Sequence, residues 1–360
     1  MNDLKDQIRQ RVERAISEKV FPGCTIGVIT PKGKSVFSFG YQTYEEEKKV
    51  TESTIYDVAS ITKGVVMASV LLSLIDDGEI SLDDRLVDYL PEFDTSPKKR
   101  EVKIKHLLTY TVDLKVPATS EVLEMPLNKA MKKLLEAELR SPAGEKYLYT
   151  NLTALLMGLV VERVAAKRLD KLSKEKFFVP LGMDRTSFHP EDFSLEEISP
   201  TEKKDRLERA VHGVVHDEAT FLLQEAGHYL GISGLFSTAS DLLIFLSMIL
   251  QGGELNGKRY FSEGLVDKML SPQFSADEEA MGLGWNLGAV RYMGDLSSEK
   301  TFGITGFTGC LLVGDRERRA GFVLLSNHVY PKRPENSDAI NSVRHDIADI
   351  VWQYVDSLNS

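Results

Sequence analysis

Ser60-Ile61-Thr62-Lys63 opens a run, Gly64–Ile75, that carries no charge before Asp76. So apolar a segment must be buried, and it reads as a core helix with a serine and a lysine on its first turns. On a helix, residues three apart share a face, with Cβ atoms about 5–6 Å from each other. Lys63 can therefore direct its amine at the Ser60 hydroxyl. A hydroxyl is a poor nucleophile until a neighbour takes its proton, and an amine does so only where burial and nearby cations disfavour its charged form. The apolar helix supplies the burial, and the free N–H groups at its start favour negative charge developing near Ser60. The same Ser-x-x-Lys spacing at Ser96–Lys99, Ser173–Lys176 and Ser297–Lys300 lies among charged neighbours such as Lys98, Lys174, Glu175 and Glu299, and reads as solvated surface.

Two further pieces lie far along the chain. Tyr149-Thr150-Asn151 follows the Pro142 and Gly144 loop and precedes the apolar run Leu152–Val161, so it sits where a loop enters a helix. Asn151 is placed to cap that helix. It also offers a donor and an acceptor for orienting Lys63 or a substrate carbonyl. A tyrosine held near an ammonium ionises more easily than in water, so Tyr149 can shuttle the serine proton to a leaving group. In Gly303-Ile304-Thr305-Gly306-Phe307, β-formers alternate with glycines ahead of Leu311–Asp315. This reads as a strand, a close backbone approach and a second strand. Gly306 would let substrate lie against the strand, and the backbone N–H of Phe307 would complete an oxyanion hole with that of Ser60. Each such donor is worth about 10²–10³ in rate.

In this order the three pieces resemble the active-site set of the serine β-lactamase and penicillin-binding-protein superfamily. Phe21-Pro22-Gly23, His106-Leu107-Leu108-Thr109, Pro180-Leu181-Gly182-Met183, Val215-His216-Asp217-Glu218, Gly234-Leu235-Phe236-Ser237 and Gly282-Leu283-Gly284-Trp285 extend the likeness. They resemble the class C β-lactamase-like group, which includes family VIII carboxylesterases, D-alanyl-D-alanine carboxypeptidases and D-aminopeptidases. The resemblance implies a β-lactamase/transpeptidase-like fold of α/β plus all-α type: an antiparallel sheet flanked by helices, with an inserted helical domain. Residues 1–58 and 260–360 would form the α/β domain, residues 59–259 the helical one, and the cleft would lie between them. It also implies Ser60 as nucleophile, Lys63 as its proton acceptor, Tyr149 as shared acid and base, and Asn151 and Thr305 as orienting groups.

One position departs from that pattern. The third motif of the group usually begins with Lys or His, whereas this chain has Ile304. A hydrogen bond to a charged group is worth about 1.5–3 kcal/mol, so the substitution weakens the hold on a substrate carboxylate. Ile304 and Phe307 are expected to form an apolar rim suited to small, short-chain neutral esters. β-Lactamase, D-alanyl or D-amino-acid peptidase activity is the alternative, and a non-catalytic binding or assembly role on the same fold is the alternative from another class. A second departure, Thr109–Leu114, replaces the small-residue and glycine turn common in relatives.

Composition agrees with a small-molecule ester or amide hydrolase. The 360 residues exceed the usual single-core limit of about 250–300. A net charge of −10 disfavours nucleic acid, whose phosphates require basic patches. The charged first twenty residues lack a signal-peptide core, and no apolar run approaches the roughly 20 residues of a membrane span, so a cytoplasmic location is expected. Leu4, Ile8, Val12 and Ile16 repeat with helical spacing. Cys24 and Cys310 read as buried apolar groups, and no cofactor or metal is expected. His212, His216, Asp217 and His228 fall in a segment the resemblance explains as a loop near the cleft. Strands are expected near Cys24–Thr30, Ser35–Gly40, Gly282–Leu287, Val290–Met293, Phe302–Ile304, Gly309–Gly314 and Gly321–Ser326. Glu191–Arg206 is expected to be a solvated loop.

Overall fold

The computed structural model describes residues 2–117, 121, 123–276 and 279–359. Its strands are β1 (Gly23–Thr30), β2 (Gly33–Gly40), β3 (Tyr56–Asp57), β4 (Phe236–Ser237), β5 (Glu254–Leu255), β6 (Lys258–Arg259), β7 (Phe274–Ala276), β8 (Glu279–Met281), β9 (Asn286–Leu287), β10 (Thr301–Thr305), β11 (Leu311–Asp315) and β12 (Ala320–Ser326). Eight of them form one sheet in the order β2-β1-β12-β11-β10-β9-β8-β7. Every pairing in it is antiparallel. β1 lies against β12 with Cys24 opposite Ser326 and Ile29 opposite Gly321. The sheet therefore joins the first hairpin to strands from near the other end of the chain, and helices flank it as the resemblance implied.

Each face of the sheet has its own apolar cover. β1 is buried along its whole length, which is why its sequence is a continuous apolar run rather than an alternation. On one face, helices Asn2–Ser17 and Asp338–Asn359 set Leu4, Ile8, Val12, Val343, Ile347 and Val351 against Ile26, Val28, Phe322 and Leu324. On the other, helix Ala239–Leu250 packs against β1, β11 and β12. A Cβ on Gly27 would come within 2.7 Å of Leu243, so the glycine sets that close approach. Thr238 caps the same helix by accepting the Asp241 N–H, satisfying one of the free donors of its first turn. This second core continues into helix Asn151–Ala165 and the segment that follows Ser60.

The structure corrects several local expectations. After Ser60 the chain is not one α-helix. Lys63–Ala68 is wound as a π-helix, with α-helix only over Ser69–Asp76, and Ser69 Oγ donates to the carbonyl of Gly64 at 2.9 Å. Such wide turns are uncommon and concentrate at functional sites. Val290–Met293 is a short helix rather than a strand, and within Gly282–Leu287 only Asn286–Leu287 is strand. Glu191–Arg206 is irregular but not wholly solvated, since Glu202 and Asp205 are buried. Lys99 is also buried, at 1% exposure. Its amine bonds the carbonyl of Leu135 at 2.7 Å and Thr95 Oγ1 at 2.9 Å, and lies 4.2 Å from the Phe93 ring centroid. Burial brings that amine down to about 8.

Candidate active site

Ser60 stands at a sharp turn between β3 and the buried helical segment. Ala59, just before it, has φ 47°, a left-handed conformation that costs a non-glycine residue roughly 1–3 kcal/mol and is tolerated where surroundings over-determine it. Here the determinant is Asp57. Its carboxylate accepts the N–H of Ala59 at 2.8 Å and that of His216 at 2.7 Å. Burial pushes the Asp57 carboxyl up, and the N–H groups of His216 and Ala59 pull it back down. Asp57 is the lone charge in Ile55–Ala59, and that isolation in an apolar stretch was the signal of its buried role.

Lys63 is buried to 1% exposure. Its Nζ lies 2.9 Å from Ser60 Oγ and 2.6 Å from the carbonyl oxygen of Ile232. The latter arrives on the stretch Leu230–Leu235, where Gly231 and Gly234 take φ +68° and +95°. Leu235 N–H donates to Thr62 Oγ1 at 3.2 Å, so the same stretch also fixes the turn between nucleophile and lysine.

Tyr149 lies across the lysine, with Nζ 5.3 Å from its ring centroid. The ring packs on Tyr110 at 5.0 Å between centroids and is 44% exposed. Among the described residues no hydrogen bond joins its hydroxyl to Ser60 or Lys63. Tyr110 has φ 53° and a buried hydroxyl without a partner, and burial raises that hydroxyl well above the ordinary tyrosine value. The Thr109–Leu114 departure noted in the sequence is thus a strained turn that puts an aromatic ring beneath Tyr149.

Asn151 occupies the first turn of its helix, but Thr150 is the cap, accepting the N–H of Thr153 at 3.3 Å. The amide of Asn151 donates to Asp217 Oδ2 at 3.4 Å, and among the described residues the Lys63 amine donates to Ser60 and Ile232 and not to the Asn151 amide oxygen. Asp217 in turn caps helix Glu218–Glu225 through Thr220. Neither Asp217 nor His216 was given a role from sequence.

The turn that carries the Phe307 N–H is docked against the Ser60 turn. A Cβ on Gly306 would meet the carbonyl oxygen of Val58 at 2.4 Å, so glycine is required for the approach. Thr308 Oγ1 donates to the carbonyl of Asp57 at 2.7 Å. From behind, the buried Arg344 donates to the carbonyls of Gly306 and Cys310, both at 2.8 Å. Burial lowers its guanidinium to about 10. Arg344 stands on the apolar stripe of its helix between Ile340 and Ile347, a cation out of pattern that the sequence reading passed over. Phe307 is 56% exposed, and its ring stacks on His216 at 5.6 Å.

Ile304 is not part of a rim. At 5% exposure it belongs to the core, beside Gly64 and Trp285, because its side chain points from β10 toward the helical segment rather than into the cleft. Of the four residues expected to orient substrate, Asn151 borders the cavity that opens at Ser60. Thr305 is half-buried at the end of β10.

That cavity measures about 480 Å³ and reaches from Ser60 and Lys63 to the helix Leu127–Leu135. Its lining includes His216, Glu218 and Arg333, which belong to a buried ionic cluster. Glu202 accepts from His216 Nε2 at 2.8 Å and from Arg333, which also bridges to Glu218 at 2.6 Å. Burial alone would raise Glu202, yet His216 and Arg333 outweigh it and hold the carboxyl at about 2. Arg206 borders the cavity and has no ion pair among the described residues.

The family model described as Beta-lactamase matches residues 6–345. A protein of Escherichia coli (strain K12) named "Putative D-alanyl-D-alanine carboxypeptidase" is 29% identical over 312 residues, which is 79% of this chain and 71% of that protein. Among solved structures, EstCE1, a hydrolase with promiscuous acyltransferase activity, superposes with a TM-score of 0.79 at 17% identity, covering 98% of this chain and 99% of that one. A class C beta lactamase superposes with a TM-score of 0.77 at 18% identity, covering 96% and 98%. Among the described residues no helix is long and apolar enough to cross a membrane. With a match that runs nearly end to end, a serine and a lysine at one cavity and a tyrosine ring against that lysine, the chain belongs to the beta-lactamase family and is a serine hydrolase.

Proposed function

We propose that the protein hydrolyses carboxylic esters through an acyl-enzyme on Ser60. The observation that carries this reading is the 2.9 Å contact between Lys63 Nζ and Ser60 Oγ, set at the mouth of a cavity of about 480 Å³. Ser60 Oγ attacks the ester carbonyl while its proton passes to Lys63. The N–H groups of Ser60 and Phe307 hold the oxyanion. Tyr149 relays the proton to the departing alcohol as the C–O bond breaks, and its hydroxyl closes on the site when substrate arrives, as catalytic hydrogen bonds often do. Water then attacks the acyl-serine by the reverse proton path.

The apolar part of the cavity lining, with Met131, Leu134, Leu155 and Leu222, supports esters over substrates that carry a carboxylate. One observation favours the second reading, a β-lactamase or D-alanyl peptidase: Arg206 borders the cavity without an ion pair among the described residues and could hold such a carboxylate. A panel of p-nitrophenyl esters, nitrocefin and D-alanyl peptides decides between them. A higher kcat/KM on an ester supports the esterase. A higher value on nitrocefin or a D-alanyl peptide, abolished in Arg206→Ala, transfers the assignment to the second reading.

A further inference from the structure

The shape of the cavity says more about the substrate than the sequence does. Helix Leu127–Leu135 carries Leu127, Met131 and Leu134 on one face at helical spacing, and that face is only half-buried. It packs on the edge of the core and also lines the cavity, which Leu152, Leu155 and Leu222 border as well. A concave pocket walled largely by apolar side chains, with a few polar groups at one end, is the usual form of a small-molecule site. The wall is also held firmly, since the carbonyl of Leu135 at the end of this helix is bound by the buried Lys99 at 2.7 Å.

Which half of an ester enters follows from Tyr149. The leaving alcohol must receive its proton from Tyr149, which does not border the cavity and is exposed to solvent. The alcohol half therefore leaves toward solvent, and the acyl half is the part enclosed. At about 30 Å³ per methylene, close to the share of one water in the liquid, a chain of eight to ten carbons occupies roughly 240–300 Å³, which the cavity of about 480 Å³ accommodates with room for the polar end at Ser60. An acetyl group would leave the leucine and methionine walls bare.

Resting on the esterase reading above, we propose that the preferred substrates are esters of medium-chain, uncharged acyl groups of about eight to ten carbons, with the chain in the cavity walled by Met131, Leu134, Leu155 and Leu222. Each methylene added to a short acyl chain then raises kcat/KM about fourfold, the equivalent of ~0.8 kcal/mol per buried CH₂, until the cavity is full.

The test uses two isomers of equal composition on the wild-type protein, methyl decanoate and nonyl acetate, at concentrations where both are monomeric. Methyl decanoate is expected to be hydrolysed at least tenfold faster in kcat/KM, and Met131→Trp is expected to reduce the decanoate-to-acetate ratio about tenfold in a p-nitrophenyl series. Leu222→Trp fills the same space from another helix and gives the same shift if Met131→Trp does not fold. Equal rates on the isomers, or faster nonyl acetate, would overturn the acyl-pocket assignment while leaving the esterase reading in place. So would an unchanged ratio in both folded variants. If neither isomer is cleaved but a fluorophosphonate labels Ser60, the acyl assignment alone fails. If Ser60 is not labelled either, the esterase reading fails with it.

Discussion

Lys63 Nζ is closer to the carbonyl oxygen of Ile232, at 2.6 Å, than to Ser60 Oγ, at 2.9 Å. A carbonyl can only accept, so it takes one N–H of the lysine whether the amine is neutral or charged. In the neutral form this leaves the nitrogen lone pair free to face the serine hydroxyl. In the charged form an N–H points at Ser60 instead, ready to return the proton. The backbone of Ile232 thus holds the amine in one orientation in either protonation state.

If Lys63 and Tyr149 form one proton path, Lys63→Met and Tyr149→Phe should each slow acylation by about 10²–10⁴, the usual span for a general acid or base. The double variant should lose far less than the product of the two. Pre-steady-state acylation rates measure both terms. Multiplicative losses would mean that the two residues act separately, and a normal rate in Tyr149→Phe would leave Lys63 as the sole base.

The docking of the Gly306–Thr308 turn predicts a kcat effect. Gly306→Ala sets a methyl 2.4 Å from the Val58 carbonyl, which must move the Phe307 N–H away from Ser60. We expect kcat to fall about 10²–10³, as for loss of one oxyanion donor, with a much smaller change in KM. Arg344→Met, which frees the Gly306 and Cys310 carbonyls from behind, should act in the same direction. Steady-state kinetics on one ester with melting curves as a control separate this from unfolding.

These two predictions show how unevenly the site could be read beforehand. The contact of Lys63 with Ser60 was legible because residues three apart on a helix share a face and a lysine in so apolar a run is out of pattern. The N-terminal helix was legible because its apolar spacing, Leu4, Ile8 and Val12, matches what it buries. The carbonyl of Ile232 was not, since a backbone oxygen leaves no mark on residue type. Ile304 was misplaced because a strand written Gly-Ile-Thr-Gly does not say which face points at the cleft. Lys99 and Glu202 were read as solvated because a charged residue is usually so; their burial depends on partners, Leu135 and Arg333, from distant segments.

The Glu202 cluster should appear in stability as a function of pH. The folded carboxyl, at about 2, lies below its ordinary 4.5. Its ionised form therefore stabilises the fold above pH 4.5, and that contribution is lost as pH falls from 4.5 toward 2. Removing one member of a buried ion pair costs about 3–5 kcal/mol, so Glu202→Gln should be clearly less stable than wild type at pH 7. Urea unfolding should show that gap narrowing below pH 4.5. A gap that is constant from pH 7 to pH 3 would exclude a titrating Glu202 as its source.

The most direct measurement of the central claim is the intact mass of the protein after brief exposure to a fluorophosphonate or a slow ester, followed by peptide mapping. A single adduct on Ser60 that is lost in a folded Ser60→Ala variant is the predicted result. The residual rate of such a variant can still exceed water by about 10³ through the remaining oxyanion donors, so the adduct is the cleaner readout. A folded wild-type protein that forms no adduct, or one that hydrolyses esters as fast with alanine at position 60, would contradict the assignment of Ser60 as nucleophile.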